Sequence, residues 1–207
     1  MPLKYYLVGV LMKIIVPISI LAFIAGISLS LLYMGKSSSG SHSASQLHLP
    51  GGGDFTLHEG DKPVRLSDFK GKAVLLFFGY TSCPDVCPTS LAFMSSSLKS
   101  LSEAEQEKVQ VLFISVDPER DTPEKLQEYT HYFHSKIKGI TGSKTEIDGV
   151  VKQYGAAYQK VASESAMGYL VDHSSSVFVI NPQGQFVDML PHGLPVEEIT
   201  KTIKKLI

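Results

Sequence analysis

An α/β domain, with a mixed β-sheet flanked by helices and one membrane-spanning helix ahead of it, is the fold this 207-residue sequence predicts. Three observations lead there. Two continuous apolar runs, KAVLLFFGY (Lys72 to Tyr80) and VQVLFISVD (Val109 to Asp117), suit strands buried on both faces. Segments with helical spacing alternate with them, the pattern of a sheet with helices on both sides. Twenty residues without a charge, Ile14 to Tyr33, match the length that crosses a hydrocarbon core of about 30 Å.

Residues 1–36 are read as a cytoplasmic tip and transmembrane anchor, in which Pro17 and Gly26 are tolerable. Lys4 and Lys13 resemble the start of a cleaved signal peptide. The apolar run is longer than a usual signal core, however, and no A-x-A-like site follows it, so an uncleaved anchor is expected. Lys4, Lys13 and the α-amino group outweigh Lys36, which keeps the N-terminus cytoplasmic and places the body outside. Arg65 and Arg120 are the only arginines, so there is no Arg-rich transit peptide; a bacterial plasma (inner) membrane with a periplasmic or extracytoplasmic domain is expected. Residues 37–50 form a Ser-rich tether too small and polar to bury a core, and its histidines read as solvated. The formal net charge of −1 argues against a nucleic-acid partner.

Residues 51–207 are long enough for one core. DFTL and KPVRLSDF read as strands joined by the turn HEGD. After the first buried strand, PTSLAFMSSSLKSL (Pro88 to Leu101) has helical spacing of Leu91, Met94, Leu98 and Leu101. After the second, TPEKLQEYTHYF is a helix capped by Thr122 or Asp121 with Pro123 in its first turn. EIDGVVKQYG is a further helix closed by Gly155. SVFVI and QFVDML flank NPQG as a hairpin, and PVEEITKTIKKLI is a last helix, acidic at its start and basic at its end. Ending in a β-hairpin and a helix is the thioredoxin-like arrangement. In such sheets, sites form in loops beyond the C-terminal ends of the parallel strands.

The only two cysteines, Cys83 and Cys87 in TSCPDVCPTS, lie in such a loop. Each precedes a proline, which disfavours the helical conformation. Pro88 suits a first helical position, making Cys87 the expected N-cap. Free N–H groups and the helix dipole there should lower both thiol pKa values. Thiolates serve both nucleophilic attack and metal ligation. A purely structural disulfide is the weakest reading, because so short a loop removes little unfolded-state entropy. A dithiol oxidoreductase and a metal site stay open.

His173, in YLVDHSSSVFVI, is the candidate third ligand. Redox thioredoxins place a cis-proline in that approach to the next strand, yet no proline occurs between Pro123 and Pro182. Two thiolates and an imidazole form a soft, three-coordinate set selecting Cu(I) or Zn(II). Structural zinc usually takes four protein ligands, so copper is favoured. Cu(II) is admitted with an added weak ligand.

GGDFTL, DFKGKAVLLFFGYTSCPDVCPTSLAFM, VLFISVDPERDTP and VDHSSSVFVINPQG together closely resemble the Sco/SenC family, membrane-anchored copper proteins that serve assembly of cytochrome c oxidase. The resemblance implies a thioredoxin fold in which Cys83, Cys87 and His173 bind copper. It further implies a role in metallating the copper-A centre of oxidase subunit II, with copper received from a donor protein. Family members are also proposed as thiol–disulfide reductants or redox sensors. A Cys83–Cys87 disulfide would bind no metal, so the two uses exclude one another at any instant.

Asp85, Asp117 and Asp172 are candidates for groups standing behind the ligands. For Asp85, plain capping is an equal alternative. Asp117, Arg120 and Asp121 read either as a docking or supporting loop or as a turn with a helix cap. Asp172 neighbours His173, but adjacent strand side chains face opposite ways. His131 and His134 read as a solvated helix face, and Met94 and Met189 as core. Peroxidase chemistry is disfavoured, because Thr81 stands two residues before Cys83 where T-x-x-C is wanted.

Overall fold

The computed structural model describes residues 51–164 and 168–207. The expected anchor (1–36) and tether (37–50) lie outside the described residues. Among the described residues, no helix is long and apolar enough to cross a membrane.

A five-stranded mixed sheet forms the centre, in the order β5-β4-β3-β8-β9. The two apolar runs are its middle: β3 (Ala73–Gly79) and β4 (Val109–Ser115) are parallel and buried along their whole length. β5 (Ile137–Ile140) continues the parallel part, while β8 (Val177–Ile180) and β9 (Phe186–Leu190) add an antiparallel edge beside β3. Side chains alternate across this sheet with period two. Leu75, Phe77, Val111, Phe113 and Val179 meet one set of helices: α1 (Val86–Lys99), α3 (Pro123–Phe133) and α5 (Val196–Lys204). Val74, Leu76, Phe78, Leu112, Ile114 and Phe178 meet α4 (Lys144–Gln153) and the N-terminal hairpin of β1 (Thr56–Glu59) and β2 (Lys62–Arg65). A short helix, α2 (Glu103–Gln106), precedes β4. The helix-covered mixed sheet expected from the sequence is therefore present.

Local chemistry sets the element ends. Thr122 caps α3 by accepting from the Lys125 N–H, with Pro123 at the first helical position. Gly155, at a φ of +64°, terminates α4 as the helix-ending glycine expected there.

Four features depart from the expectation. KPVRLSDF is a strand only to Arg65, because the Asp68 carboxylate accepts from the Arg65 N–H and folds Leu66–Phe69 into a 3-10 turn. β5 was not anticipated. Neither was a separate two-stranded sheet of β6 (Tyr158–Ala162) and β7 (Tyr169–His173), which carries His173 at its end. Met189 lies on edge strand β9 and is 42% exposed, not core, whereas Met94 is fully buried.

Candidate metal centre

Three elements deliver the candidate ligands. β3 ends at Gly79, and the chain then runs through Thr81–Pro84 into α1, which brings both cysteines to the C-terminal edge of the parallel strands. β7 arrives from the other side with His173 as its last residue, opposite Tyr158 of β6. Ser174 locks this end: its hydroxyl accepts from the Ala157 N–H and its own N–H donates to the Ala157 carbonyl, both at 2.9 Å.

Helix α1 starts two residues earlier than the sequence implied. Asp85 occupies the cap position, Val86 begins the helix, and Cys87 sits within the first turn rather than at the cap. The Asp85 side chain makes no capping hydrogen bond. Instead the Cys83 sulfur accepts from the backbone N–H of Cys87 at 3.4 Å and from the Asp85 backbone, so a thiolate fills the role usually taken by a capping oxygen.

The ligand atoms of Cys83, Cys87 and His173 all lie within 4.8 Å of one another, the one such cluster of three or more found among the described residues. His173 Nε2 stands 3.3 Å from Cys87 Sγ and 3.9 Å from Cys83 Sγ, across sequence separations of 86 and 90 residues. Its other nitrogen, Nδ1, lies 3.1 Å from the Ser174 carbonyl oxygen. A carbonyl only accepts, so Nδ1 carries the proton and Nε2 turns its lone pair toward the two sulfurs. The rings of Phe77 and Tyr80 hold the imidazole edge-on, at centroid distances of 5.9 and 5.8 Å. The donor set, two thiols and a correctly tautomerised imidazole, fits a soft metal ion.

The two thiols are not equivalent. Cys83 is half-exposed and Cys87 fully buried, and both are free. Hydrogen bonding from Cys87, opposed by burial and reinforced by the backbone N–H groups of Asp85 and Cys87, lowers the Cys83 pKa to about 3. Burial, then the neighbouring Cys83 sulfur, pushes Cys87 far above the ordinary thiol range. The expectation that both thiols would be acidified is therefore corrected. A single negative charge is stabilised on the exposed sulfur, and the buried one donates its proton to it.

Of the three supporting aspartates, Asp172 is exposed on the opposite face of β7 from His173, and the exposed Asp85 acts through its backbone. Asp117 is fully buried behind the site and pairs with Arg120 and with the Tyr169 hydroxyl. Asp121 is no helix cap. Its buried carboxylate accepts from the Thr81 N–H (2.9 Å), the Thr81 hydroxyl (2.6 Å) and the Ser115 hydroxyl (2.6 Å), pinning the cysteine loop to the end of β4. Gly79 was missed altogether. A Cβ built there would meet Cys87 Sγ at 2.6 Å and the Phe113 ring at 2.7 Å, so only glycine leaves room for the buried sulfur. The FFGY break at the end of an apolar run was the available signal.

Comparison with known proteins agrees with this geometry. The SCO1/SenC family model matches residues 43–207. The chain belongs to the SCO1/SenC family. The mitochondrial SCO2 homolog of Bos taurus is 39% identical over 158 residues, 75% of this chain and 59% of that protein. The chain thus spans about six tenths of that relative's length. Among solved structures, Bradyrhizobium japonicum ScoI with copper bound superposes with a TM-score of 0.69 at 37% identity, covering 75% of this chain and 99% of that one. BsSco, a member of the Sco family of cytochrome c oxidase assembly proteins in which a disulfide switch has been identified, superposes with a TM-score of 0.59 at 26% identity, covering 77% and 94%. The thioredoxin-like fold of the SCO1/SenC domain is thereby established for the described residues, 51–164 and 168–207.

Proposed function

We propose that this SCO1/SenC protein is a membrane-anchored copper metallochaperone. It takes up copper through Cys83, Cys87 and His173 and passes it to the copper-A centre of cytochrome c oxidase subunit II. The observation that carries the reading is the convergence of two sulfurs and an imidazole nitrogen within 4.8 Å, with the imidazole already in the ligating tautomer. Copper bound in the related ScoI and the oxidase-assembly role of the BsSco family support it. The cargo is Cu(I) in the first instance, because two thiolates and one imidazole satisfy it without a fourth ligand. The half-exposed Cys83 is where an acceptor's ligand would join before the buried pair lets go. The apolar Ile14–Tyr33 segment supports tethering at the outer face of a bacterial plasma membrane, with copper arriving from a donor protein.

A second reading has its own observation. An acidified, half-exposed Cys83 beside a buried, protonated Cys87 is also the arrangement of a dithiol that attacks a disulfide, as a reductant for the oxidase's copper-ligating cysteines or a redox sensor would need. Measuring Cu(I) affinity and model-disulfide reduction for the wild type and His173→Ala separates the two. The chaperone reading expects a large loss of copper affinity with little change in dithiol chemistry. Unchanged copper affinity sinks the proposed site, and strong catalytic reduction that ignores copper promotes the reductase.

A further inference from the structure

The geometry points to Arg120 as a positioning residue for His173, acting through Tyr169 at the far end of the same strand; the inference deepens the copper reading and rests on it. In β7 the side chains of Tyr169, Val171 and His173 share one face. Val171 is buried in the core, while Tyr169 and His173 stand roughly 13 Å apart at the strand's two ends. Arg120 holds the Tyr169 end. Its guanidinium carbon lies 3.7 Å from the Tyr169 ring centroid, and Nη1 donates to the Tyr169 carbonyl at 2.9 Å. Asp117, fully buried, accepts from Arg120 Nε and, at 2.7 Å, from the Tyr169 hydroxyl.

The same guanidinium faces Tyr80, 5.5 Å from its centroid, and the His173 imidazole packs against the same Tyr80 ring in a T-shaped arrangement at 5.8 Å. The Tyr80 phenol is also hydrogen-bonded to the Val171 backbone. Arg120 therefore touches both supports of the imidazole, the strand that carries it and the ring it leans on, without touching any ligand. Because β6 and β7 form a sheet separate from the central one, β7 gains no ladder hydrogen bonds from β8. Planar stacking with a forked hydrogen-bond pattern is what a guanidinium supplies and an ammonium does not. The expected consequence is a His173 ring that is ordered before metal arrives, which lowers the entropic cost of ligation.

The test uses the full chain in detergent, nitrogen-15-labelled at histidine, as wild type, Arg120→Ala, Arg120→Lys and Tyr169→Leu. Two quantities are read: the His173 ring resonances of the reduced, metal-free protein, and Cu(I) affinity against a competing chelator. Arg120→Ala and Tyr169→Leu are expected to broaden or split the His173 signal and weaken copper binding about tenfold at unchanged one-to-one stoichiometry. Arg120→Lys should recover only part of both. If Arg120→Ala does not fold, Tyr169→Leu decides alone. Wild-type His173 resonances in Tyr169→Leu overturn the inference, whatever its copper affinity. If the wild type itself takes up no copper, the copper reading fails, and the ring resonances still judge the positioning role.

Discussion

Gly79 and Cys87 are in contact: a methyl group added to Gly79 would stand 2.6 Å from the Cys87 sulfur. Neither atom can yield easily, because the Phe113 ring occupies the other side at 2.7 Å and Cys87 is fully buried. Gly79→Ala is therefore expected to destabilise the domain by roughly 1–3 kcal/mol, the range for overpacking a close-packed interior. It should also push Cys87 away from His173 and weaken copper uptake. Denaturant midpoints and chelator competition measure the two effects, and a variant indistinguishable from wild type in both contradicts the contact.

The unequal thiols predict selective chemistry. In the reduced, metal-free protein at pH 5, a small alkylating reagent should modify Cys83 and spare Cys87, since only the first is a thiolate and only it is half-exposed. The rate at Cys83 should fall as pH drops through about 3. Folding follows the same sign. A thiol whose folded pKa is depressed stabilises the fold fully above its ordinary value, and that contribution fades as pH falls toward about 3. Peptide mapping showing equal modification of both cysteines at pH 5 would count against this assignment.

Asp121 supplies a stability prediction away from the ligands. Asp121→Ala strips the partner from two hydroxyls and a backbone N–H at the base of the cysteine loop. Leaving these groups unsatisfied should cost about 3 kcal/mol. Thr81→Val removes one of the three bonds and should cost less. A melting temperature for Asp121→Ala equal to that of Thr81→Val would show that the carboxylate is not the common anchor.

Oxidation provides a switch that can be read directly. Forming the Cys83–Cys87 bond from the Cys83 thiolate and the Cys87 thiol removes two electrons and the one remaining thiol proton, and consumes both sulfur donors. The oxidised chain should take up no copper, and a dithiol reductant should restore one copper per chain. Copper held by the oxidised protein at wild-type affinity would mean that the sulfurs are not the ligands.

The central sheet was legible because β3 and β4 are buried on both faces and so announce themselves as unbroken apolar runs. The hairpin of β6 and β7 was not. Most of β6 is exposed, and its chain alternates weakly, so neither period was visible. Cys83, Cys87 and His173 were readable from chemistry and from family resemblance, but the asymmetry between the thiols was not. Both cysteines precede a proline near a helix start, and only three-dimensional burial separates them. Gly79 lay hidden for a similar reason: its partner, Cys87, is 8 residues away, and no local rule links them. Asp121 was legible as part of a supporting loop, but its partner Thr81, 40 residues away, was not.

The imidazole and the thiols that face it are separated by 86 and 90 residues of chain. An unfolded or newly emerging polypeptide can offer the ion two sulfurs but no nearby nitrogen, so the complete cage exists only after the sheet has closed. Under the copper reading, loading becomes a proofreading step on the protein itself: misfolded copies stay empty, and only molecules with an intact architecture enter the delivery route.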